Sequence, residues 1–447
     1  MACGPEQQDN MIETPHGLDS LRKIPVHSLY ADVRKPTAEM LEVLDVLVID
    51  LQDVGTRVYT YLWTLHLCLE AAAENGIAVV VLDRPNPLGG EIIEGPMLEP
   101  GFASFVGRVP MPIGMASRWP NPARYLNRVC GIGANLHCVP MEGYRHSSYW
   151  PEHGRPWIPP SPNLPRLEGV LLYPGQVLLE GTMLSEGRGT TTPFELCGAP
   201  YIDPAVLLNE LEEFGFDGLT ARPYRFEPAF QKYARQSCGG LFLHPTNPRT
   251  LRSYRFTVAM IGCIARLWPK QFAWRQPPYE YETEKLPIDI LSGGTALREA
   301  IDAGLTPESL ERVTAIDDSQ WERATARPAL RVARRLNQPL TAHFFSTGSW
   351  AGSLLAHDRR GAVGQRGGSL HRSPRRRGED RGHLRREAAA LVVRQHAWPA
   401  GPMAAHSPVD RFCMVRPPDG HGQKLTPDPA VYRAVRAGRG RVWGAGG

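Results

Sequence analysis

Two nearly uninterrupted apolar segments constrain the fold of this chain most strongly, VLDVLVIDLQDVG at 43–55 and IAVVVLDRPNP at 77–87. Both lack the alternation of a half-exposed strand, so they predict strands buried on both faces of a parallel sheet. Between them, residues 59–75 carry apolar side chains at helical spacing and stop at an Asn-Gly pair. A strand, a helix and a second strand predict a right-handed βαβ unit.

Charged residues follow both predicted strands. Asp53 and Arg57 come after the first strand, and Asp83 and Arg84 come after the second. Parallel strands present their carboxyl ends at one edge, where open α/β sheets bind ligands, so these residues are predicted to line a cleft. The alternative is a structural role, because an Asp at the end of a strand also caps the helix that follows it.

The domain organisation follows from changes in composition along the chain. Residues 1–165 are predicted as a Rossmann-like parallel-sheet domain that ends in the Pro-rich passage RPWIPPSPNLPRLEG. Residues 166–335 are predicted as a smaller α+β domain. Its predicted elements are a short strand in GVLLYPGQVLL, a helix at 204–214, a strand in GLFLHPTNP and a helix at 250–268.

Residues 336–447 form an Arg/Gly/Pro-rich tail, which is predicted to be disordered or to be read out of frame. The stretch 351–447 has 17 Arg and one Lys against seven Asp and Glu, a net charge of +11, whereas 1–350 carries −7. Such a tail would bind phosphates with steep salt dependence, but it has few aromatic residues for base stacking. No nucleic-acid partner is therefore expected.

Several missing patterns restrict the chemistry. The first strand is not followed by GxGxxG, and GxxxxGK[ST] does not occur, which disfavours a nucleotide-dependent enzyme. The eight cysteines contain no CxxC pair, so neither a metal nor another cofactor is expected. The start MACGPEQQDN has no signal-peptide pattern, and no apolar run is long enough for a membrane span. As written, the chain is expected to be cytoplasmic.

Acidic residues in Gly/Pro-rich loops are the main candidates for chemistry. They include Glu6 in GPEQ, Glu94 in IIEGP and Glu186 in LSEGRGT. A pair of carboxyl groups is the usual apparatus of glycoside hydrolysis, and arginines such as Arg188 can hold a substrate carboxylate through a two-point contact. The alternative for Glu186 and Arg188 is a local ion pair.

Several long motifs together resemble one family, the NamZ exo-β-N-acetylmuramidases. They are VHSLYADVRKPTAEML, DVLVIDLQDVGTRVYTYLWTL, IEGPMLEPGFASFVG, PPSPNLP, LEGTMLSEGRGTTTPFELCGAP and CGGLFLHPTNP, and the resemblance runs from about residue 4 to about 325. It implies a Rossmann-like domain, a smaller second domain and a cleft between them. It also implies release of N-acetylmuramic acid from the non-reducing end of peptidoglycan fragments, muropeptides as partners, and export from the cytoplasm.

The resemblance also implies roles for individual residues. Glu6 matches the family's proposed catalytic glutamate and is the candidate general acid, although Gln7 stands where the family has His. Because of this departure, a catalytically impaired paralogue that binds muropeptides is the alternative function. Glu94 and Glu186 are the further catalytic candidates. The predicted substrate-binding residues are Asp53, Arg57, Asp83, Arg84, Asn86, Ser161, Asn163 and Arg188.

Overall fold

The computed structural model describes residues 15–19, 24–115 and 122–316 and the strand Ala390–Arg394, all within one compact unit. The predicted general acid Glu6 and most of the predicted tail lie outside these residues. The strands are Gly17–Leu18 (β1), Pro25–Val26 (β2), Val46–Asp50 (β3), Ala78–Leu82 (β4), Ile93–Glu94 (β5), Gly114–Met115 (β6), Leu136–Val139 (β7), Leu196–Ala199 (β8), Leu219–Phe226 (β9), Cys238–Pro245 (β10) and Ala390–Arg394 (β11). The α-helices are Ala38–Leu41 (α1), Tyr61–Glu74 (α2), Pro122–Val129 (α3), Leu167–Gln176 (α4), Pro204–Leu211 (α5), Ser253–Leu267 (α6), Pro287–Ser292 (α7), Ala296–Asp302 (α8) and Pro307–Thr314 (α9).

The main sheet has four parallel strands in the order β11-β3-β4-β7. β3 and β4 pair with Ile49 opposite Val81, and α2 lies between them in sequence, which confirms the predicted βαβ unit. Leu47 and Val48 are neighbours that point to opposite faces of the sheet, and both are buried. Burial on both faces explains why this strand shows no alternation in sequence.

One strand of the main sheet comes from the predicted tail. β11 pairs in parallel with β3, with Ala390 opposite Val46 and Arg394 opposite Asp50. Its sequence ALVVR is short, apolar and β-branched within a basic region. The α/β class with a parallel sheet is confirmed, and Ala390–Arg394 contributes one strand to this sheet from the predicted tail.

The second part of the described chain is built on an antiparallel sheet in the order β8-β10-β9. Leu241 and Leu243 of β10 are fully buried in a core that α5 and α6 also line. α6 spans Ser253–Leu267, close to the predicted helix at 250–268. This confirms the predicted α+β character of the region, whereas the domain borders at 165 and 335 stay predictions.

The predicted strand in GVLLYPGQVLL is wrong, because this segment is helical. Leu167–Gln176 forms α4, and Val177–Gly181 continues it as a 3₁₀ turn. A Cβ on Gly175 would collide with the carbonyl oxygen of Ser253, so the backbones of α4 and α6 nearly touch. A helix enclosed on most sides loses its polar stripe, and an apolar run of this length then resembles a buried strand.

Among the helices of the described residues, none has both the length and the apolarity needed to cross a bilayer.

Candidate active site

A cavity of about 110 Å³ lies at the carboxyl edge of the parallel sheet. β3 and β4 end there, and the residues that follow them bring Asp53, Asp83 and Arg84 to its wall. Asn86 from the next turn and Tyr61 from the start of α2 complete this part of the lining. The structure therefore brings together the charged residues that follow the two predicted strands, with the exception of Arg57.

The two carboxyl oxygens of Asp53 differ in their hydrogen bonding. Oδ2 accepts a hydrogen bond from the Gly55 backbone N–H at 2.9 Å. Oδ1 is shielded from solvent and has no hydrogen-bond partner among the described residues. Burial raises the pKa of Asp53 to about 6, against the lowering effect of hydrogen bonds from Gly55 and Val54. The group is therefore mostly ionised at pH 7 and takes up a proton when the pH falls through about 6.

A tight turn holds Asp53 and Asn86 next to each other. Gly55 has φ +70°, and a Cβ there would collide with Oδ1 of Asn86, so only glycine fits without a shift. The Asn86 side chain donates to the Met115 carbonyl at 2.6 Å and accepts from the Leu88 backbone N–H at 3.0 Å. Asn86 is therefore fixed in place before any ligand arrives.

Arg84 has a charged partner in an ion pair, whereas the pKa of Asp83 is governed mainly by burial. Arg84 donates from Nε to Oδ1 of Asp50 at 2.5 Å and from Nη2 to Oδ2 at 2.9 Å, a two-point ion pair. Its side chain remains 33% exposed. Burial raises the pKa of Asp83, while backbone N–H groups of Met141 and Arg84 oppose the shift.

Arg57 does not line the cavity, in contrast to the cleft position predicted for it. It is fully buried, and its guanidinium donates to the carbonyls of Pro96 at 3.1 Å, Met111 at 2.8 Å and Leu291 at 2.9 Å. Burial lowers its pKa to about 10. These contacts join residues distant in sequence and favour a structural role over substrate binding.

Glu94 lies at the beginning of α6 rather than in the cavity. Its Oε2 accepts from the Tyr254 backbone N–H at 3.2 Å and from Ser253 Oγ at 3.4 Å. A carboxylate at a helix N-terminus satisfies N–H groups that have no partner within the helix. Burial raises the pKa of Glu94 to about 7, and its Oε1 has no partner within the described part of the chain.

Glu186 and Arg188 belong to a buried ion-pair network. Arg188 Nη2 donates to Oε1 of Glu180 at 2.6 Å, and its Nε lies 3.3 Å from Oε1 of Glu186. Lys232 Nζ donates to Oε2 of Glu186 at 2.9 Å. Burial alone would raise the pKa of Glu186, but Lys232 and Arg188 outweigh it and lower the pKa. The predicted local ion pair is therefore present, and it is buried.

Ser161 and Asn163 lie in the Pro-rich passage before α4. Ser161 Oγ accepts from the Asn163 backbone N–H at 3.3 Å, and Asn163 is 6% exposed. The Tyr61 hydroxyl donates to the Pro160 carbonyl at 2.9 Å, which holds this passage beside a residue of the cavity wall. Their predicted contact with substrate stays a prediction.

A group of tyrosines adjoins the cavity, and its members Tyr59 and Tyr61 are buried in the hydrophobic core. Tyr59 stacks edge-on against Tyr61 at 4.8 Å between ring centroids and against Tyr173 at 6.1 Å. The hydroxyl of Tyr279 donates to Oε2 of Glu180 at 2.7 Å. Glu280 follows Tyr279 in QPPYEYETEK, where alternating Tyr and Glu after two prolines was the available signal.

The chemistry open to this site is that of carboxyl groups. Within 15–19, 24–115 and 122–316, no group of three or more His, Cys, Asp or Glu is arranged to hold a metal ion. The carboxyl group of Asp53, which lines the cavity, has its pKa raised to about 6 by burial. Groups of that kind can both give and take a proton near pH 7.

The sequence matches two family models, the N-terminal region of exo-beta-N-acetylmuramidase NamZ over residues 3–168 and its C-terminal region over 171–330. The peptidoglycan beta-N-acetylmuramidase NamZ of Bacillus subtilis (strain 168) is 39% identical over 293 residues, which cover 66% of this chain and 69% of that protein.

Two crystal structures of DUF1343 family proteins from Bacteroides fragilis NCTC 9343 share the fold. One has a TM-score of 0.64 and 29% identity, covering 70% of this chain and 82% of that one. The other has a TM-score of 0.50 and 26% identity, covering 71% and 80%. On the two family matches and the identity to the Bacillus enzyme, this chain belongs to the NamZ family of exo-beta-N-acetylmuramidases.

Proposed function

We propose that this protein is an exo-acting glycoside hydrolase that releases N-acetylmuramic acid from the non-reducing end of peptidoglycan fragments. The observation that carries the proposal is the match of both family models, which extends across residues 3–330 with a break of two residues. The cavity at the carboxyl edge of the parallel sheet is where an α/β fold of this kind binds its ligand.

The cavity offers groups suited to an acidic amino sugar. Asp53, Asp83 and Asn86 line it and can accept or donate hydrogen bonds to sugar hydroxyl and acetamido groups. Muramic acid also carries a lactyl carboxylate, for which a guanidinium is the matching group. Of the three predicted arginines, Arg84 lines the cavity, so we assign the lactyl contact to it rather than to Arg57 or Arg188.

Glu6 remains the candidate general acid, on the basis of its GPE motif. It would give its proton to the glycosidic oxygen as the bond to the muramic acid breaks. Muropeptides as natural substrates and export of the protein are further proposals that rest on the family resemblance.

The test is release of 4-nitrophenol from 4-nitrophenyl β-N-acetylmuramide and of N-acetylmuramic acid from a β-linked muropeptide. We expect turnover of both by the purified full chain, and loss of muropeptide turnover in Glu6→Gln with an unchanged melting temperature. Full muropeptide activity of Glu6→Gln would refute the assignment of Glu6.

Gln7 in place of the family's His favours one competing function, a protein that binds muropeptides without turnover. Calorimetric titration with N-acetylmuramic acid separates the two functions. Binding without release of product would support the binding protein, and neither binding nor release would refute both.

A further inference from the structure

The cavity at the carboxyl edge of the parallel sheet has an apolar inner wall. Ile49 of β3 and Val81 of β4 line it from the sheet, and Leu62 and Leu65 line it from α2. These four side chains are at most 8% exposed and belong to one hydrophobic core. The cavity therefore extends from the polar edge of the sheet into the space between the sheet and α2.

Two methionines add to the apolar wall, and hydrogen bonds fix their backbones. The Met111 carbonyl accepts from the Arg57 guanidinium at 2.8 Å. The Met115 backbone N–H donates to the Gly55 carbonyl at 2.7 Å, and the Met115 carbonyl accepts from the Asn86 side chain at 2.6 Å. The buried side chains of Met111 and Met115 take no part in these bonds. Shortening either side chain should therefore enlarge the cavity while the backbone stays in place.

Polar groups lie at the other end of the cavity. One carboxyl oxygen of Asp53 accepts from the Gly55 backbone N–H, and the other has no hydrogen-bond partner among the described residues. The Tyr144 hydroxyl also lies at this end, where the backbone N–H of Asn86 interacts with its oxygen and leaves its proton to donate. An acceptor and a donor side by side are what an amide group needs, since an amide has one N–H and one carbonyl.

The size of the cavity limits what it can hold. Its volume is about 110 Å³. An apolar cavity of about 150 Å³ holds one benzene molecule, and N-acetylmuramic acid with its substituents is much larger than benzene. The sugar ring must therefore lie at the mouth of the cavity, and a single substituent can enter it.

Among the substituents of this sugar, the 2-acetamido group matches the cavity. The lactyl group ends in a carboxylate, and a charge in an apolar space without a partner is costly. The acetamido group ends in a methyl group, whose burial against aliphatic side chains is favourable. With the methyl group inside, the amide lies at the polar end, beside Asp53 and Tyr144.

We propose that the inner part of the cavity is an acyl pocket that receives the methyl group of the 2-acetamido substituent. The Asp53 carboxylate accepts a hydrogen bond from the amide N–H, and the Tyr144 hydroxyl donates one to the amide carbonyl. The aliphatic wall limits the length of the acyl chain, so N-acetyl sugars are selected over sugars with longer N-acyl groups. This inference rests on the proposed muramidase function and names the part of the substrate that the cavity selects.

The test compares three substrates, the 4-nitrophenyl β-glycosides of N-acetyl-, N-propionyl- and N-butyrylmuramic acid. One methylene group in an apolar pocket changes kcat/KM by about 10- to 200-fold. We therefore expect wild-type kcat/KM to fall about tenfold or more from N-acetyl to N-propionyl, and again to N-butyryl. Met111→Ala should make room for the longer chain and raise the ratio of N-propionyl to N-acetyl turnover by about tenfold.

The matched control is Met260→Ala, which shortens a methionine that is 1% exposed in the core of the second part of the chain. It should keep the wild-type preference for the N-acetyl substrate. Melting temperatures show whether each variant folds. If Met111→Ala does not fold, Met115→Ala decides by the same criteria.

Two results with an active enzyme would overturn the acyl pocket. One is equal wild-type kcat/KM on the N-acetyl and N-butyryl substrates. The other is a preference that stays unchanged in folded Met111→Ala or Met115→Ala, or that changes equally in Met260→Ala.

Failure of the muramidase function can be told apart from failure of the pocket. If the wild type turns over none of the three substrates, the muramidase function is refuted, and calorimetric titration decides on the pocket. Binding of N-acetylmuramic acid about tenfold or more tighter than N-butyrylmuramic acid would support it. Equal binding of the two sugars, or no binding, would overturn it.

Discussion

The guanidinium of Arg84 and the carboxylate of Asp50 form a two-point ion pair, with Nε to Oδ1 at 2.5 Å and Nη2 to Oδ2 at 2.9 Å. Asp50 is the last residue of β3, and Arg84 follows the end of β4. The pair therefore ties together the carboxyl ends of two adjacent strands. It also sets the direction of the guanidinium that we assign to the lactyl carboxylate.

Removing Arg84 should reduce both stability and substrate binding. Arg84→Gln leaves the buried Asp50 carboxylate without its partner, and because Arg84 is partly exposed we expect a cost of about 2 kcal/mol, between a surface and a buried pair. Urea denaturation measures this cost. In Arg84→Gln/Asp50→Asn the stability should return, whereas KM for the muropeptide should stay raised. Recovery of KM in the double variant would contradict the lactyl contact.

Because of Glu94, the free energy of unfolding should fall as the pH rises from about 4.5 to about 7. Its pKa is raised from 4.5 to about 7 in the folded protein, so between these values the folded state binds more protons than the unfolded state. The contribution of Glu94 to the free energy of unfolding is fully present below pH 4.5. About 3 kcal/mol of it has been lost once the pH exceeds 7. Glu94→Gln should reduce the fall in the free energy of unfolding between pH 5 and pH 8 by about 3 kcal/mol, whereas Glu284→Gln should leave that fall unchanged.

Lys232 and Lys285 offer a matched comparison of buried and exposed ion pairs. Lys232 Nζ donates to Glu186 and to the carbonyls of Leu179 and Leu184. Lys232→Met should cost about 3 kcal/mol, since it leaves buried acceptors unpaired. Lys285→Met breaks the more exposed pair with Glu282 and should cost less than about 1 kcal/mol. Equal losses in urea denaturation would show that the Glu186 network is not structural.

Arg57→Lys separates the structural role of this residue from its predicted role in binding. An ammonium group cannot reach all three carbonyls that the guanidinium fork contacts, so we expect a loss of about 2–3 kcal/mol. KM of the folded fraction should stay within about twofold of wild type. A large rise in KM with unchanged stability would instead support the predicted contact with substrate.

The sequence was sufficient to predict those features of the fold that depend on a local pattern of apolar residues. The apolar runs around Ile49 and Val81 were enough to place two parallel strands, and hence to bring Asp53 and Asp83 to one edge. The roles of Arg57 and Glu94 could not be predicted in this way. Their partners include the Leu291 carbonyl and the Tyr254 N–H, which only the folded chain brings near.

Two further features of the structure could not be predicted from the sequence, for related reasons. α4 is enclosed on most sides, so its sequence lost the polar face that distinguishes a helix from a buried strand. Glu280 depends on a backbone conformation that no residue type in QPPYEYETEK announces, because left-handed φ angles are expected at glycines. The alternating Tyr and Glu after two prolines mark this segment, but they do not indicate its backbone conformation.

The pairing of β11 with β3 also bears on how the protein is made. Val46 emerges from the ribosome long before Ala390, its neighbour in the sheet. At about 10 residues per second, the edge of β3 that β11 covers would wait on the order of half a minute for its partner. During that interval a strand of apolar, β-branched residues has an open edge, which is when chaperone binding would matter most.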